Sequence, residues 1–186
     1  MLAIENMMKE HEQILAVLDA LDAFASSERD AGADPAELRR FVTFIREYAD
    51  DRHHAKEENV LFEAMIRQGF PRDQGPVAVM LHEHREMRET VAALRGLAEQ
   101  EGPWNGEERK RLAEAALSYT GTLRHHIMKE NEILYPMAVH RLPPPVQDEI
   151  DRDCGALDDR RASAGTDRSL EELGASLVAK YAPRRH

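Results

Sequence analysis

The chain has 186 residues, 42% hydrophobic and 32% charged, with a formal net charge of −10, which suits one globular domain with an appendage and a core that needs no disulfide. The acidic balance argues against a phosphate backbone or an anionic membrane surface, so neither nucleic acid nor membrane is an expected partner. The single cysteine, Cys154, favours a reducing, cytoplasmic compartment, and no signal peptide and no apolar run of about 18 residues is visible.

Strand signatures are nearly absent, and four long helices are predicted. The first covers about Ala3 to Ser26, where Met7, Met8, Ile14, Leu15, Leu18 and Leu21 recur at spacings of three and four. A polar loop, Ser27 to Ala33, follows. Asp34 as N-cap and Pro35 at the first helical position open a second helix, which runs to about Gln68 and stops at Gly69 and Pro71. Gly75-Pro76 opens a third, ending near Gly102-Pro103. Asn105, with Glu108 three residues on, has the pattern of a capping box for a fourth. The run Pro143-Pro144-Pro145 must end it. Short loops between long amphipathic helices imply antiparallel neighbours, hence an all-α, up-down-up-down four-helix bundle over residues 1–142. Residues 143–186 read as a C-terminal helical appendage. Its first helix spans about Pro145 to Asp159, and its second starts at Ser169 with Glu172 and ends before Pro183.

An internal repeat relates the two halves of the bundle. An offset of 73 positions carries His11 onto His84, Glu10 onto Glu83, His53 onto His126, Lys56 onto Lys129, Glu57 onto Glu130 and Phe62 onto Tyr135. His53 and Glu57 are four apart on one helix, as are His126 and Glu130, so each pair shares a face about 6 Å apart along the axis. That face is apolar: His11 has Met7 and Ile14 beside it, His84 has Met80 and Met87, His53 has Ala49 and Leu61, and His126 has Leu123 and Leu134. His11 lies about 22 Å from the end of its helix and His53 about 27 Å from the start of the next, so the two can meet at one level. Every helix thus aims a histidine at the core, and two add a glutamate. Facing carboxylates in an apolar core are costly unless a cation lies between them. Four imidazoles and two carboxylates suit iron, manganese or zinc.

These segments, Lys9-Glu10-His11, His53-His54-Ala55-Lys56-Glu57, Glu83-His84 and His126-Ile127-Met128-Lys129-Glu130, resemble the hemerythrin HHE cation-binding domain over about Met1 to Leu142. The variant most similar is the bacterial stand-alone type, which includes di-iron proteins credited with repair of damaged iron centres. The resemblance implies two iron ions, oxo- or hydroxo-bridged, held by His11, His53, Glu57, His84, His126 and Glu130, with both glutamates as bridges. Oxygen-carrying hemerythrins have HxxxH on the third helix, whereas Met80 and Arg88 stand four residues from His84 here, and they have aspartate where this chain has Glu130. No inward residue then offers a fifth histidine. Both irons should be approachable, which favours reaction with peroxide or nitric oxide over reversible storage of dioxygen.

His54, His82 and His125 have polar helical neighbours and read as surface or rim residues. Glu10 and Glu83 either orient ligand imidazoles or lie on solvated faces. Tyr48 and Tyr119 read as core packing, and Cys154 as a free thiol outside the bundle. Three functions stand open on these residues. The chain is a non-haem di-iron protein that binds, senses or turns over dioxygen, peroxide or nitric oxide; or a module that stores or donates iron; or a zinc-held structural or partner-binding bundle. No phosphate loop, nucleophile elbow or cysteine metal motif is present, so no catalytic residue is assigned.

Overall fold

The computed structural model describes residues 1–27 and 34–181. The predicted loop beyond Ser27, and Pro183, lie outside the described residues. Helix α1 is Leu2–Ser27. Helix α2 begins as Pro35–Phe44, passes through wide, i→i+5 turns at Ile45–His54 and Glu57–Phe62, and finishes as Glu63–Arg67. The joints Ala55, Lys56 and Phe62 keep right-handed helical backbone, so α2 is one rod. Helix α3 is Gly75–Ala98. Helix α4 is Gly106–Lys129, continued by a wide turn at Glu130–Leu134 and by Tyr135–Arg141. Helices α5, Pro144–Ser163, and α6, Thr166–Tyr181, complete the chain. No strand occurs among the described residues.

The local signals act as expected. The Asp34 carboxylate accepts a hydrogen bond from the Ala36 amide at 2.8 Å, and Asn105 with Glu108 forms the reciprocal capping box. Gly69, at φ +93°, ends α2 in the left-handed region that favours glycine. The following Phe70 amide reaches back to the Met65 carbonyl at 3.1 Å. The wide turn before Pro136 accommodates a residue that lacks an N–H inside a helix.

The C-terminal helices differ from expectation. Pro143 is extended and serves as N-cap, so Pro144 and Pro145 begin α5 rather than merely end α4. Ser169 does not start α6; its hydroxyl donates to the Gly165 carbonyl inside a helix already begun at Thr166.

Helix α1 packs on α4 and α6, α2 on α3, and α3 on α4. Their apolar faces form two separate layers. One gathers Leu18, Leu21, Phe24, Phe41, Tyr48, Leu94, Trp104, Tyr119 and Leu123. The other gathers Ile4, Met7, Leu61, Phe62, Met65, Met80, Leu134 and Tyr135. Full burial of each such side chain stabilises the fold by about 1.5–3 kcal/mol. Both C-terminal helices contribute: Leu170 and Leu177 join the first layer, Ile150 and Cys154 the second. A Cβ on Gly174 would lie 2.6 Å from the Phe44 ring, so the missing side chain lets α6 seat closely on α2. Cys154 is therefore not outside the packed helices but 3% exposed. Burial pushes its thiol up to about 12, which leaves it unreactive. Among the described residues no helix is long and apolar enough to cross a membrane.

Candidate metal centre

Between the two apolar layers lies a polar belt. His11 sits between Met7 of one layer and Ile14 of the other; His84 sits between Met80 and Met87. His11, His53, Glu57, His84, His126 and Glu130 are each at most 1% exposed. The fold brings all six together, in two overlapping groups. His11, His53, Glu57 and Glu130 form one; His54, Glu57, His84 and His126 form the other. Within each group one donor atom per residue lies within 4.8 Å of the rest.

Glu57 belongs to both groups. Its Oε2 is 3.7 Å from His53 Nε2 and 3.5 Å from His84 Nε2. Glu130 also spans them, with Oε2 3.2 Å from His11 Nε2 and Oε1 3.0 Å from His126 Nε2. Two ligands at right angles around an ion, each about 2.1 Å away, stand about 3 Å apart.

His54 corrects the sequence reading. It is 3% exposed, not at the rim, and its ring stacks on His84 with centroids 3.9 Å apart. The reason is local geometry. Residues 45–54 and 57–62 of α2 are wound as wide turns, in which consecutive side chains diverge less than on an α-helix. His53 and His54 therefore both face inward. The expectation that no fifth inward histidine exists is overturned. His82 and His125, by contrast, are exposed as predicted.

Each of the five rings is held by its Nδ1. His53 pairs with Glu10 at 2.8 Å and His126 with Glu83 at 2.8 Å, so both repeated glutamates orient imidazoles. His84 pairs with Glu58 at 2.7 Å, His54 with Asp50 at 3.3 Å and His11 with Asn131 at 2.9 Å. These acceptors favour an N–H at Nδ1, so the neutral ring keeps its lone pair on Nε2, the tautomer a metal ligand needs. Asp50, Glu58 and Asn131 escaped the sequence reading. Asp50 and Glu58 stand four residues either side of His54, and that polar flank is what made His54 look solvated. Tyr135 was also missed as a site residue. Its hydroxyl donates to Glu57 Oε1 at 2.6 Å, and its ring stacks on His11.

The residues fit a cation on a plain observation. His11, His53 and His54 Nε2, Glu57 Oε2 and both Glu130 oxygens are buried with no hydrogen-bond partner. His84 and His126 point Nε2 at Nε2, 2.9 Å apart. Lone-pair atoms converge there, and the counter-charge that the described residues bring to the two carboxyl groups comes from the imidazoles themselves, His126 above all. Burial, then the facing Glu130 carboxylate, drives Glu57 well above the usual carboxylate range. Burial also opposes the charge on Glu130, but His126 and His11 outweigh it and hold that carboxyl low. Burial, then the charge of His11, lowers His53 to about 3; burial, then His54, lowers His84 to about 3. Burial disfavours charge on His126 as well, but Glu130 and Glu83 raise it to about 9.

Residues 2–138 match the model of the hemerythrin HHE cation binding domain. The chain belongs to that hemerythrin family. Among curated proteins it is similar to the iron-sulfur cluster repair protein YtfE of Edwardsiella ictaluri (strain 93-146), with 34% identity over 108 residues, 56% of this chain and 48% of the relative. It is 31% identical over 113 residues to the proteins of that name from Salmonella paratyphi B and Salmonella newport, with the same coverage. The chain thus spans about half the length of the curated relatives it matches. No solved structure matches. The hemerythrin match ends at residue 138, so α5 and α6 lie beyond it.

Substituting His54 tests the correction. His54→Ala is expected to weaken metal binding by at least the about tenfold to hundredfold that loss of an orienting partner costs. His82→Ala and His125→Ala should leave affinity unchanged. Competition titration with a chelator measures all three; a His54→Ala variant of undiminished affinity would return that residue to a bystander.

Proposed function

We propose that the chain is a non-haem di-iron protein that binds, senses or reacts with a small ligand: dioxygen, peroxide or nitric oxide. The carrying observation is the convergence of unpartnered Nε2 and carboxylate atoms in the buried belt. His11, His53, Glu57 and Glu130 would hold one ion. His54, His84, His126 and Glu57 would hold the other, with Glu130 reaching both. The bundle of α1 to α4 would run up-down-up-down over residues 1–142, with residues 143–186 as its cover, in the cytoplasm. Iron suits the donor set, and the relatives named for iron-sulfur cluster repair favour it over zinc.

The bound iron would supply variable valence and open coordination positions. The chain's own side chains do the rest. Asp50, Glu58, Glu10, Glu83 and Asn131 hold the rings in register. The apolar layers exclude water on both sides. Tyr135 holds its hydroxyl oxygen 2.6 Å from Glu57 Oε1 and donates its proton there, and its own ionisation is suppressed by burial and then by Glu57. Five imidazoles and two carboxylates would hold the ions and would leave room for a small ligand beside them.

With a fifth imidazole present, counting ligands no longer separates this chain from an oxygen carrier. Reactivity decides that. Protein reconstituted anaerobically with ferrous iron should hold two irons per chain by elemental analysis; one or none would end the dinuclear reading. Mixed with air or nitric oxide in stopped flow, it should change spectrum within the mixing experiment and not revert under vacuum. An oxygenated spectrum that vacuum removes would replace reaction by reversible carriage. A second reading, donation of iron to a damaged centre, is favoured by the names of the relatives. Transfer of iron to an apo iron-sulfur protein tests it.

A further inference from the structure

The repeat offers an internal control, because its two halves carry the same residues in different surroundings. In one half Glu10 holds His53 and receives Lys56; in the other Glu83 holds His126 and receives Lys129. The first trio is covered. Lys56 is 2% exposed and Glu10 6%, whereas Lys129 is 29% exposed and Glu83 16%.

The cover is the C-terminal helix pair. Lys56 Nζ donates to Asp158 of α5 at 2.9 Å as well as to Glu10. Arg52 reaches Glu10 at 3.4 Å, Asp167 at 3.5 Å and Glu171 at 3.3 Å. Arg161 of α5 donates to the Glu47 carbonyl of the wide turn at 3.0 Å, and Asp151 caps α1 through the Leu2 and Ala3 amides. Lys56 is thus a buried cation shared by two carboxylates, Glu10, which holds a ligand ring, and Asp158, which is 27% exposed, and it ties α5 to that ring.

The other half is restrained differently. A cavity of about 190 Å³ between α2 and α3 reaches His54 and His84, past Ile45, Met87 and Val91. Arg88 closes its side, bonded to Asp50 at 2.6 Å and to Glu58 at 2.8 Å, the two acceptors that hold His54 and His84. That arginine is 41% exposed, and exposed ion pairs restrain weakly.

We propose that the C-terminal helix pair locks the His11–His53 half of the centre through Asp158, Lys56 and Glu10, so that metal enters and leaves through the His54–His84 half. Asp158 is a positioning residue in this scheme. The scheme rests on the dinuclear reading. A rate of exchange depends on access and on how freely the ligand helices part. Access and the weaker restraint both lie on the His54–His84 side.

The test uses the full chain loaded with zinc and challenged with excess chromophoric chelator. Zinc should leave in two phases of one ion each, at least about tenfold apart in rate. Asp158→Ala should accelerate the slow phase about tenfold and leave the fast one alone, and Asp158→Glu should restore it. Arg88→Ala should accelerate only the fast phase, and Arg88→Lys should do so to a smaller degree. Hydrogen exchange of the metal-free protein adds a second readout, in which Asp158→Ala should loosen the α1 and α2 amides around Glu10 and His53 but not those of α3. Release of both ions in one phase, or equal acceleration of both phases by either alanine variant, would overturn the lock while leaving the dinuclear centre intact. Uptake of a single ion would overturn both.

Discussion

Glu57→Leu is expected to cost the protein metal binding and yet raise the melting temperature of its metal-free form. In that form the Glu57 carboxyl is 0% exposed and faces Glu130 across a belt with no donor for its Oε2. Replacing a buried ionic group by an apolar residue of similar volume is commonly neutral or stabilising by about 1–4 kcal/mol. Against this, Tyr135 loses its acceptor, at about 1–3 kcal/mol. The net is a small gain, and each kcal/mol moves the midpoint of a domain this size by about 2–4 °C. With metal the order inverts. An ion at a hundred times its dissociation constant stabilises the native wild type by about 2.7 kcal/mol, and the variant forgoes that. Glu130→Leu should behave oppositely when metal-free. Burial disfavours charge on His126, but Glu130 and Glu83 raise it to about 9, so the loss of Glu130 strands buried positive charge on that ring at about 3–5 kcal/mol. Calorimetry of the wild type and both variants, with and without chelator, reads all of this. A metal-free Glu57→Leu protein melting well below the metal-free wild type would refute the account of the belt as a strained carboxyl pair awaiting a cation.

The stability gained from metal should widen as pH rises. In the metal-free protein His53 and His84 are both held at about 3, chiefly by burial. Below about pH 6.5 the unfolded chain takes up protons that these buried rings refuse, so stability falls by up to about 1.4 kcal/mol per pH unit for each. His126 works the other way: raised to about 9, its contribution is complete below about pH 6.5, declines above it and is lost as pH climbs through about 9. Glu57, raised by burial and by Glu130, likewise loses its contribution above the ordinary carboxylate range. Metal-free stability should therefore peak near pH 6.5, with decline on both sides, by order-of-magnitude linkage. Bound metal demands neutral imidazoles and charged carboxylates, so its stabilisation grows as protons become scarce. Melting scans from about pH 5 to about pH 9 should show the gap between loaded and metal-free protein opening steadily. A constant gap would mean that no proton leaves these seven side chains when metal arrives.

Much of this was legible along the chain. Helix ends follow from Asp34, Asn105 and the prolines, because a cap is satisfied by residues two or three positions away. The six inward ligands follow from spacing, because an offset of 73 repeats His and Glu against apolar neighbours that have only one core to face. Tertiary structure decided the rest. Whether His54 turns inward depends on α2 adopting wide turns, which give poorer backbone geometry and persist only where the other helices pack against them. Which of many carboxylates holds which ring depends on the helix opposite: Glu10 lies 43 positions from His53, and Glu58 26 from His84. The docking of α5 and α6 was illegible for the same reason. Asp158 is one acidic residue among 35 aspartates and glutamates until Lys56 is buried beside it. Local propensity is written in neighbours along the chain, whereas the pairing of charges across helices is written only in the packing.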